Sequence, residues 1–199
     1  MTTIAEPVQG VQRAPWAKQR ILETADELFY LEGIRVVGVD RLISVSSVTK
    51  ATFYKHYGSK DTLIKAYITG RHESTQASTL QLVDAAASPQ DALHELVAQL
   101  TDTILGGGFR GCAFSNAAAE FPDPSHPVRA IVTQHRDWQS ELISGLLSEI
   151  GHPMAGDAAD EFVLAIDGAH VGGYAGDPIA ATTALQRTTD RIIGEAIPA

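Results

Sequence analysis

Cysteine is close to absent from this chain. Cys112 is the single thiol among 199 residues, so the chain closes no internal disulfide and builds no cysteine metal cluster of its own. Long apolar runs are absent too. No stretch approaches the roughly 20 consecutive apolar residues of a membrane span, and Met1 to Pro15 lacks the apolar core of a secretion signal. A cytoplasmic protein with no membrane partner is expected. The seven histidines are scattered without metal-ligand spacing. Gly-x-Ser-x-Gly, His-Glu-x-x-His and a phosphate-binding glycine loop after a strand are all missing, and Gly106-Gly107-Gly108 follows a helical stretch instead. No catalytic residue, metal or cofactor is therefore assigned. The one enzymatic alternative left open is a hydrolase using Cys112 with a histidine and Glu120. Neither a strand, a fixed-period repeat nor a low-complexity tract is indicated, which removes solenoids.

What is present is a globular composition, 44% hydrophobic and 20% charged, enough to bury a sizeable core. The net charge of −9 argues at first against nucleic acid, because a polyanion repels acidic surfaces. The distribution reverses that argument. Residues 1 to 60 hold eight basic side chains against six acidic ones, +2, so the remainder carries −11. Between Arg35 and Lys60 the balance is five basic to one acidic, Asp40. A basic head on an acidic body is expected, the body repelling DNA and helping to orient the head.

Pro7, Gly10 and Pro15 without apolar periodicity predict a flexible arm over 1–15, in which Arg13 is placed to touch DNA. From Trp16 the spacing is helical, with Ile21, Ala25, Leu28 and Phe29 on one face, until Gly33. Leu42, Ile43, Val45 and Val48 leave room only for two short helices. Ser59 caps a helix that buries Leu63, Ile64, Tyr67 and Ile68 and connects head to body as far as about Ala77. Ser88-Pro89 opens another, closed at Gly106. A loop over Pro122 to Pro127 precedes a helix to about Ile150, and two more follow, Ala155 to Tyr174 and Asp177-Pro178 to about Ala196. The fold class is all-α: a three-helix head with a helix-turn-helix over 16–58, plus a larger helical body over 59–199 for ligand binding and dimerisation.

A helix-turn-helix needs a support helix, a tight turn, and a second helix whose N-terminal half enters a major groove about 12 Å wide. Val39 to Tyr57 meets those needs. Val39, Leu42 and Ile43 face inward, Val48 plugs the turn, Thr49 caps the second helix and Phe53 faces the core. Lys50, Thr52, Lys55 and His56 then offer hydrogen-bond donors on its outer side, and Arg41 adds a cation on the first helix. Lys55 is open between a solvated face and a phosphate contact, and Tyr54 between core packing and DNA. These stretches, Phe29-Tyr30-Leu31-Glu32-Gly33 and Thr52-Phe53-Tyr54-Lys55-His56-Tyr57-Gly58-Ser59-Lys60-Asp61-Thr62-Leu63, resemble the TetR family of bacterial transcriptional regulators over Trp16 to Ile68. The resemblance implies phosphate contacts from Tyr54, His56 and Lys60, and places Thr49, Lys50 and Thr52 near base edges. It implies a ligand-responsive regulator, a repressor that binds a pseudo-palindromic DNA operator as a homodimer and is released by a small-molecule effector. Control by a protein partner, or by redox chemistry at Cys112, is the alternative within DNA binding. Three positions depart from the family pattern: Ile43 for a small residue, Ser47 for the turn glycine, and Gly38 for Ser or Thr. A left-handed Ser47 costs about 1 kcal/mol relative to glycine.

In the body, one apolar stripe holds Phe162, Ile166, Ala169 and Gly173, and another Leu185, Ile192, Ile193 and Ala196. Both suit a four-helix bundle between subunits, and both equally suit packing inside one subunit. An effector pocket between the middle helices draws its candidates from Phe109, Cys112, Phe114, Asn116, Glu120, Phe121, His135, Trp138 and His170. Each has a bland reading as core or surface. Asn116 and Glu120, four apart, share a face if their segment is helical.

Overall fold

The computed structural model describes the backbone of residues 13–196 and the side chains of 16–196. Most of the expected arm, residues 1–12, lies outside the described residues, as does the Arg13 side chain, but Arg13 to Pro15 form the first turn of a helix that starts earlier than Trp16. Among the described residues there are nine α-helices and no strand. They fall into two compact units that divide after Tyr67.

The first unit contains α1 (Arg13–Glu32), α2 (Val39–Ser46), α3 (Lys50–Tyr57) and the start of α4 (Lys60–Ala85). Its core is Ile21, Ala25, Leu28 and Phe29 from α1, Ile34 and Val37 from the connection, Leu42 from α2, Phe53 and Tyr57 from α3, and Leu63, Ile64 and Tyr67 from α4. The expected division after residue 58 therefore falls inside this unit. Phe29 and Tyr67 meet edge to face with centroids 5.4 Å apart, which ties the first two turns of α4 to α1. Ser59 opens α4 as a cap, its Oγ accepting from the Thr62 amide at 3.1 Å. The helix then runs past the expected end near Ala77 to Ala85, because no proline intervenes before Pro89.

The second unit holds the rest of α4 with α5 (Pro89–Leu105), α6 (Ala113–Glu120), α7 (Pro127–Glu149), α8 (Ala155–Ala175) and α9 (Pro178–Gly194). Three of these begin with proline at the first helical position, behind caps at Ser88, His126 and Asp177. Its core joins Leu93, Val97 and Ile104 of α5 to Ile143, Leu146 and Leu147 of α7 and to the inner faces of α8 and α9.

That packing corrects the expected dimer stripes. Phe162, Ile166, Ala169, Leu185, Ile192 and Ile193 are all buried in the chain's own core, none more than 7% exposed. Gly173 lies against α5, where a Cβ would stand 2.4 Å from Ile104 Cγ2. Ala196 is half-buried just beyond the end of α9. An apolar stripe records that a face is covered, and the neighbour that covers these is in the same chain. The exposed large apolar side chains of α8 lie elsewhere, at Leu164 and Val171, both 67% exposed, and at Tyr174.

Gly173→Ala should destabilise the fold by about 1 to 2 kcal/mol, overpacking against Ile104 outweighing the better helix propensity of alanine. Gly145→Ala in α7, where a Cβ would meet nothing within 4 Å, should stabilise it by about 0.5 to 1 kcal/mol. Denaturant unfolding of the two variants checks the opposite signs.

Candidate functional site

The helix-turn-helix is built on two buried rings. Phe53 is fully buried and Tyr57 nearly so, and the Tyr57 hydroxyl donates to the Lys18 carbonyl at 3.0 Å, fastening the end of α3 to α1. Burial also pushes the Tyr57 phenol above its ordinary pKa. The anchoring role of Tyr57 is absent from the sequence reading, although its spacing four residues after Phe53 puts it on the same face. With that face inward, Lys50, Ala51, Tyr54 and Lys55 are exposed and Thr52 and His56 are half-buried. Tyr54 therefore presents its ring outward, edge-on to Phe53 at 5.4 Å.

Thr49 caps α3 as expected. Its Oγ1 accepts from the Thr52 amide at 3.1 Å and lies 2.8 Å from the Thr52 hydroxyl, so the two threonines form one hydrogen-bonded pair at the helix start. Gly38 caps α2 with no side-chain bond. Ser47 has φ 52° and ψ 44°, the left-handed conformation the tight turn demands, and Arg20 Nη2 donates to its carbonyl at 3.3 Å.

Several cations of this unit are engaged. Arg41 Nε donates to Glu32 Oε2 at 2.9 Å, and Nη2 makes a second, shorter bond to Oε1. Lys50 Nζ is 3.9 Å from Asp40 Oδ1. Lys60, assigned by resemblance to phosphate, instead donates to the Arg35 carbonyl at 3.3 Å and sits 5.8 Å from the centre of the Phe29 ring. Glu32 and Asp40 belong to this surface as much as the basic residues do.

In the second unit the structure brings several of the expected pocket residues together and sends others elsewhere. Phe114 stacks on His135 at 3.6 Å, and Trp138 lies 5.5 Å from His135. The sequence reading missed His72, whose Nδ1 is 3.2 Å from His135 Nδ1. The available signal was spacing: Ile64, Ile68 and His72 follow at intervals of four on one face of α4. Phe109 stacks on His170 at 6.0 Å. Phe121 stacks on His126 instead, at 4.2 Å. The 113–120 segment is helical, but Asn116 is exposed and donates to the Arg110 carbonyl at 2.8 Å, while Glu120 is half-buried. Cys112 is half-buried at the cap of α6.

Two nitrogen donors fall short of the three or four protein ligands of a zinc site. Among the described residues no group of three histidine, cysteine or carboxylate side chains is placed to hold a metal. The His72–His135 contact is a hydrogen bond, and it dictates tautomers. One ring carries its proton on Nδ1, and the other leaves Nδ1 bare to accept. Burial, then the neighbouring His72, Arg136 and His170, lower the pKa of His135 to about 4. Burial lowers His170 as well, against the opposing pull of Asp167 and the Ile166 carbonyl. Arg136 is held by Asp167 through two bonds of 3.1 and 2.8 Å, so its charge is matched. The cluster is aromatic, with His72, Phe114 and His135 buried and Trp138 half-buried.

Comparison with known proteins places both units. Residues 21–67 match the family model described as bacterial regulatory proteins, tetR family. A TetR-family transcriptional regulator from Streptomyces coelicolor is 34% identical, with 92% of this chain and 96% of that one covered and a TM-score of 0.88. A tetR-type regulator from Streptomyces avermitilis shares the fold at 23% identity and a TM-score of 0.73, covering 87% of this chain and 98% of that one. An uncharacterised HTH-type transcriptional regulator of Mycobacterium tuberculosis is 23% identical over 95 residues, 48% of this chain; the match covers 46%, about half, of that relative's length.

Ser47→Gly should stabilise the protein by about 1 kcal/mol by relieving the left-handed conformation, as read by urea unfolding; an unchanged or lower midpoint would show that the turn carries no strain. A second expectation concerns pH. The unfolded imidazole of His135 takes a proton near 6.5 and the folded one near 4, so its contribution is complete above about 6.5 and is lost as the pH falls towards 4. Thermal unfolding between those values should show stability falling with acid, and His135→Leu should flatten that slope.

Proposed function

Because the chain belongs to the TetR family of bacterial transcriptional regulators, we propose that it represses transcription as a homodimer on a two-half-site operator and is released by a small effector bound in its second unit. The observation that carries the reading is the outer face of α3. Lys50, Ala51, Tyr54 and Lys55 stand exposed on a helix whose opposite face is anchored by Phe53 and Tyr57. On this reading Lys50 and Thr52 meet base edges and Tyr54, Lys55 and His56 meet phosphates. Lys60 reaches phosphate only by leaving Phe29 and the Arg35 carbonyl.

Two such helices must lie about 34 Å apart, or a multiple of that, to enter successive major grooves on one DNA face. The dimer face that supports this is the outward side of α8, Leu164 and Val171, with Gly168 between them open to close approach, and Ile179 of α9, 69% exposed. The effector reading rests on the cluster around His72, Phe114, His135 and Trp138. A ligand that separates His72 from His135 acts on α4, the helix that begins in the DNA-binding unit. Release requires tighter binding to the DNA-incompetent state, by about 1 to 3 kcal/mol for ordinary coupling.

Selection of genomic fragments by the purified protein at two salt concentrations tests the reading. An enriched inverted repeat, with affinity falling steeply as salt rises, is expected. Random recovery with weak binding at both salts would contradict it. Sedimentation at micromolar concentration should give a dimer that Leu164→Glu with Val171→Glu converts to a monomer of reduced operator affinity. A wild-type monomer would remove the dimer claim.

A further inference from the structure

The guanidinium of Arg41 is held in a fork. Nε and Nη2 donate to the two oxygens of Glu32, the same bidentate geometry that arginine makes with two oxygens of a phosphate. Glu32 is the last residue of α1 and Arg41 the third of α2, and in helix-turn-helix docking the first helix of the motif crosses the phosphate backbone. The two side chains are 35% and 52% exposed, so a competing anion can reach the pair from solvent. The guanidinium hydrogen bond holds the Glu32 carboxyl below its ordinary pKa, which keeps it anionic and ready to compete. A looser version recurs one position earlier, where Asp40 lies 3.9 Å from Lys50. At least two of the five cations between Arg35 and Lys60, Arg41 and Lys50, thus face a carboxylate of this chain.

We infer that Glu32 is an internal stand-in for DNA phosphate, occupying Arg41 in the free protein and giving way only when the backbone replaces it. The inference rests on the DNA-binding reading above. A phosphate contact made by Arg41 then exchanges one anion for another and returns little net affinity. Binding to arbitrary DNA consists almost wholly of phosphate contacts, so it is held down. Base-edge contacts from Thr52 give up no internal ion pair, and the ratio of operator to random binding rises. Glu32 is in this sense a specificity residue that itself touches no base. A purely structural role, clamping α2 to α1, predicts the opposite sign: removing the carboxylate would loosen the helix-turn-helix and weaken binding.

The test is fluorescence anisotropy of a labelled random-sequence duplex against full-length wild type, Glu32→Gln, Arg41→Gln and the double variant over a series of salt concentrations. Glu32→Gln should bind about two- to five-fold more tightly at low salt, the range an exposed ion pair commands. Its log affinity should fall with log salt more steeply, by about 0.9 for each head. Arg41→Gln should bind the random duplex close to wild type, since Glu32 already offsets that cation, and the double variant should match Arg41→Gln. Tighter binding by Glu32→Gln that persists in the double variant overturns the inference, because lost negative charge alone would then account for it. Equal or weaker binding by Glu32→Gln, with an unchanged slope, overturns it too. Glu32→Ser, whose side chain is too short to span to Arg41, gives the same readings should the glutamine variant unfold early in a thermal melt. A wild type without salt-dependent binding overturns the DNA-binding reading together with this one, whereas a null Glu32→Gln on a wild type that binds overturns this one alone.

Discussion

An eight-residue helix cannot hold itself together in water, and α3 is eight residues long. Nucleation fixes three residues for a single hydrogen bond, and isolated helices of fewer than about 12 residues are marginal even in favourable sequences. The helix that would enter the groove therefore exists only because Phe53 and Tyr57 are buried against α1 and α2. Burying a phenylalanine contributes about 1.5 to 3 kcal/mol, several times what a single cap bond or exposed ion pair supplies. The other features of the unit follow from this constraint. Thr49 satisfies an amide at the start, Gly58 ends the helix with a positive φ, and the Tyr57 hydroxyl closes on the Lys18 carbonyl. A surface that must offer exposed donors to a ligand gains no burial from those donors, so its opposite face has to supply all of the stability.

This explains why the first unit was legible in the sequence. The requirement that Phe53 face inward, that a left-handed residue stand at position 47 and that a hydroxyl stand at 49 is local. Each can be read from a few neighbouring residues. Ser47 is instructive because it departs from the glycine expected there and still adopts φ 52°. Tertiary packing of Leu42 and Phe53 dictates the turn, and the serine accepts the strain. All nine helices likewise follow local signals, proline after a capping residue at Ser88, His126 and Asp177 among them, although 113–120 could be read only conditionally.

What was not legible depends on partners distant in the chain. The apolar stripes of α8 and α9 announce burial but not against what, and the two possible neighbours, α5 and α7 of the same chain or a second copy, leave the same periodic trace. Gly172 and Gly173 held a hint, since a glycine within a helix marks a close approach, here to Ala181 of α9 and Ile104 of α5, yet a subunit contact would call for one just as well. Lys60 illustrates a different limit. Its motif position implies a phosphate contact, while its long stem finds an aromatic face and a carbonyl nearer at hand. His72 could be placed on the apolar face of α4 by its spacing, but a histidine there gains meaning only from His135, 63 residues away.

Charge divides the molecule into two kinds of polar chemistry. In the first unit, Arg41 and Lys50 are paired with exposed carboxylates, contacts that water and salt weaken and that another anion can replace. In the second, the imidazoles of His72 and His135 are buried, burial disfavours a charge on His135, and Arg136 is matched by Asp167. For the proposed effector the consequence is a constraint on its charge. An ion entering beside His135 would lose its hydration without finding an opposite charge to replace it. An uncharged molecule with an aromatic ring and a hydrogen-bonding group loses far less, and can compete for the His72–His135 bond between α4 and α7. The net energy of one side-chain hydrogen bond is modest, and a coupling of a few kcal/mol lies within reach of a small ligand.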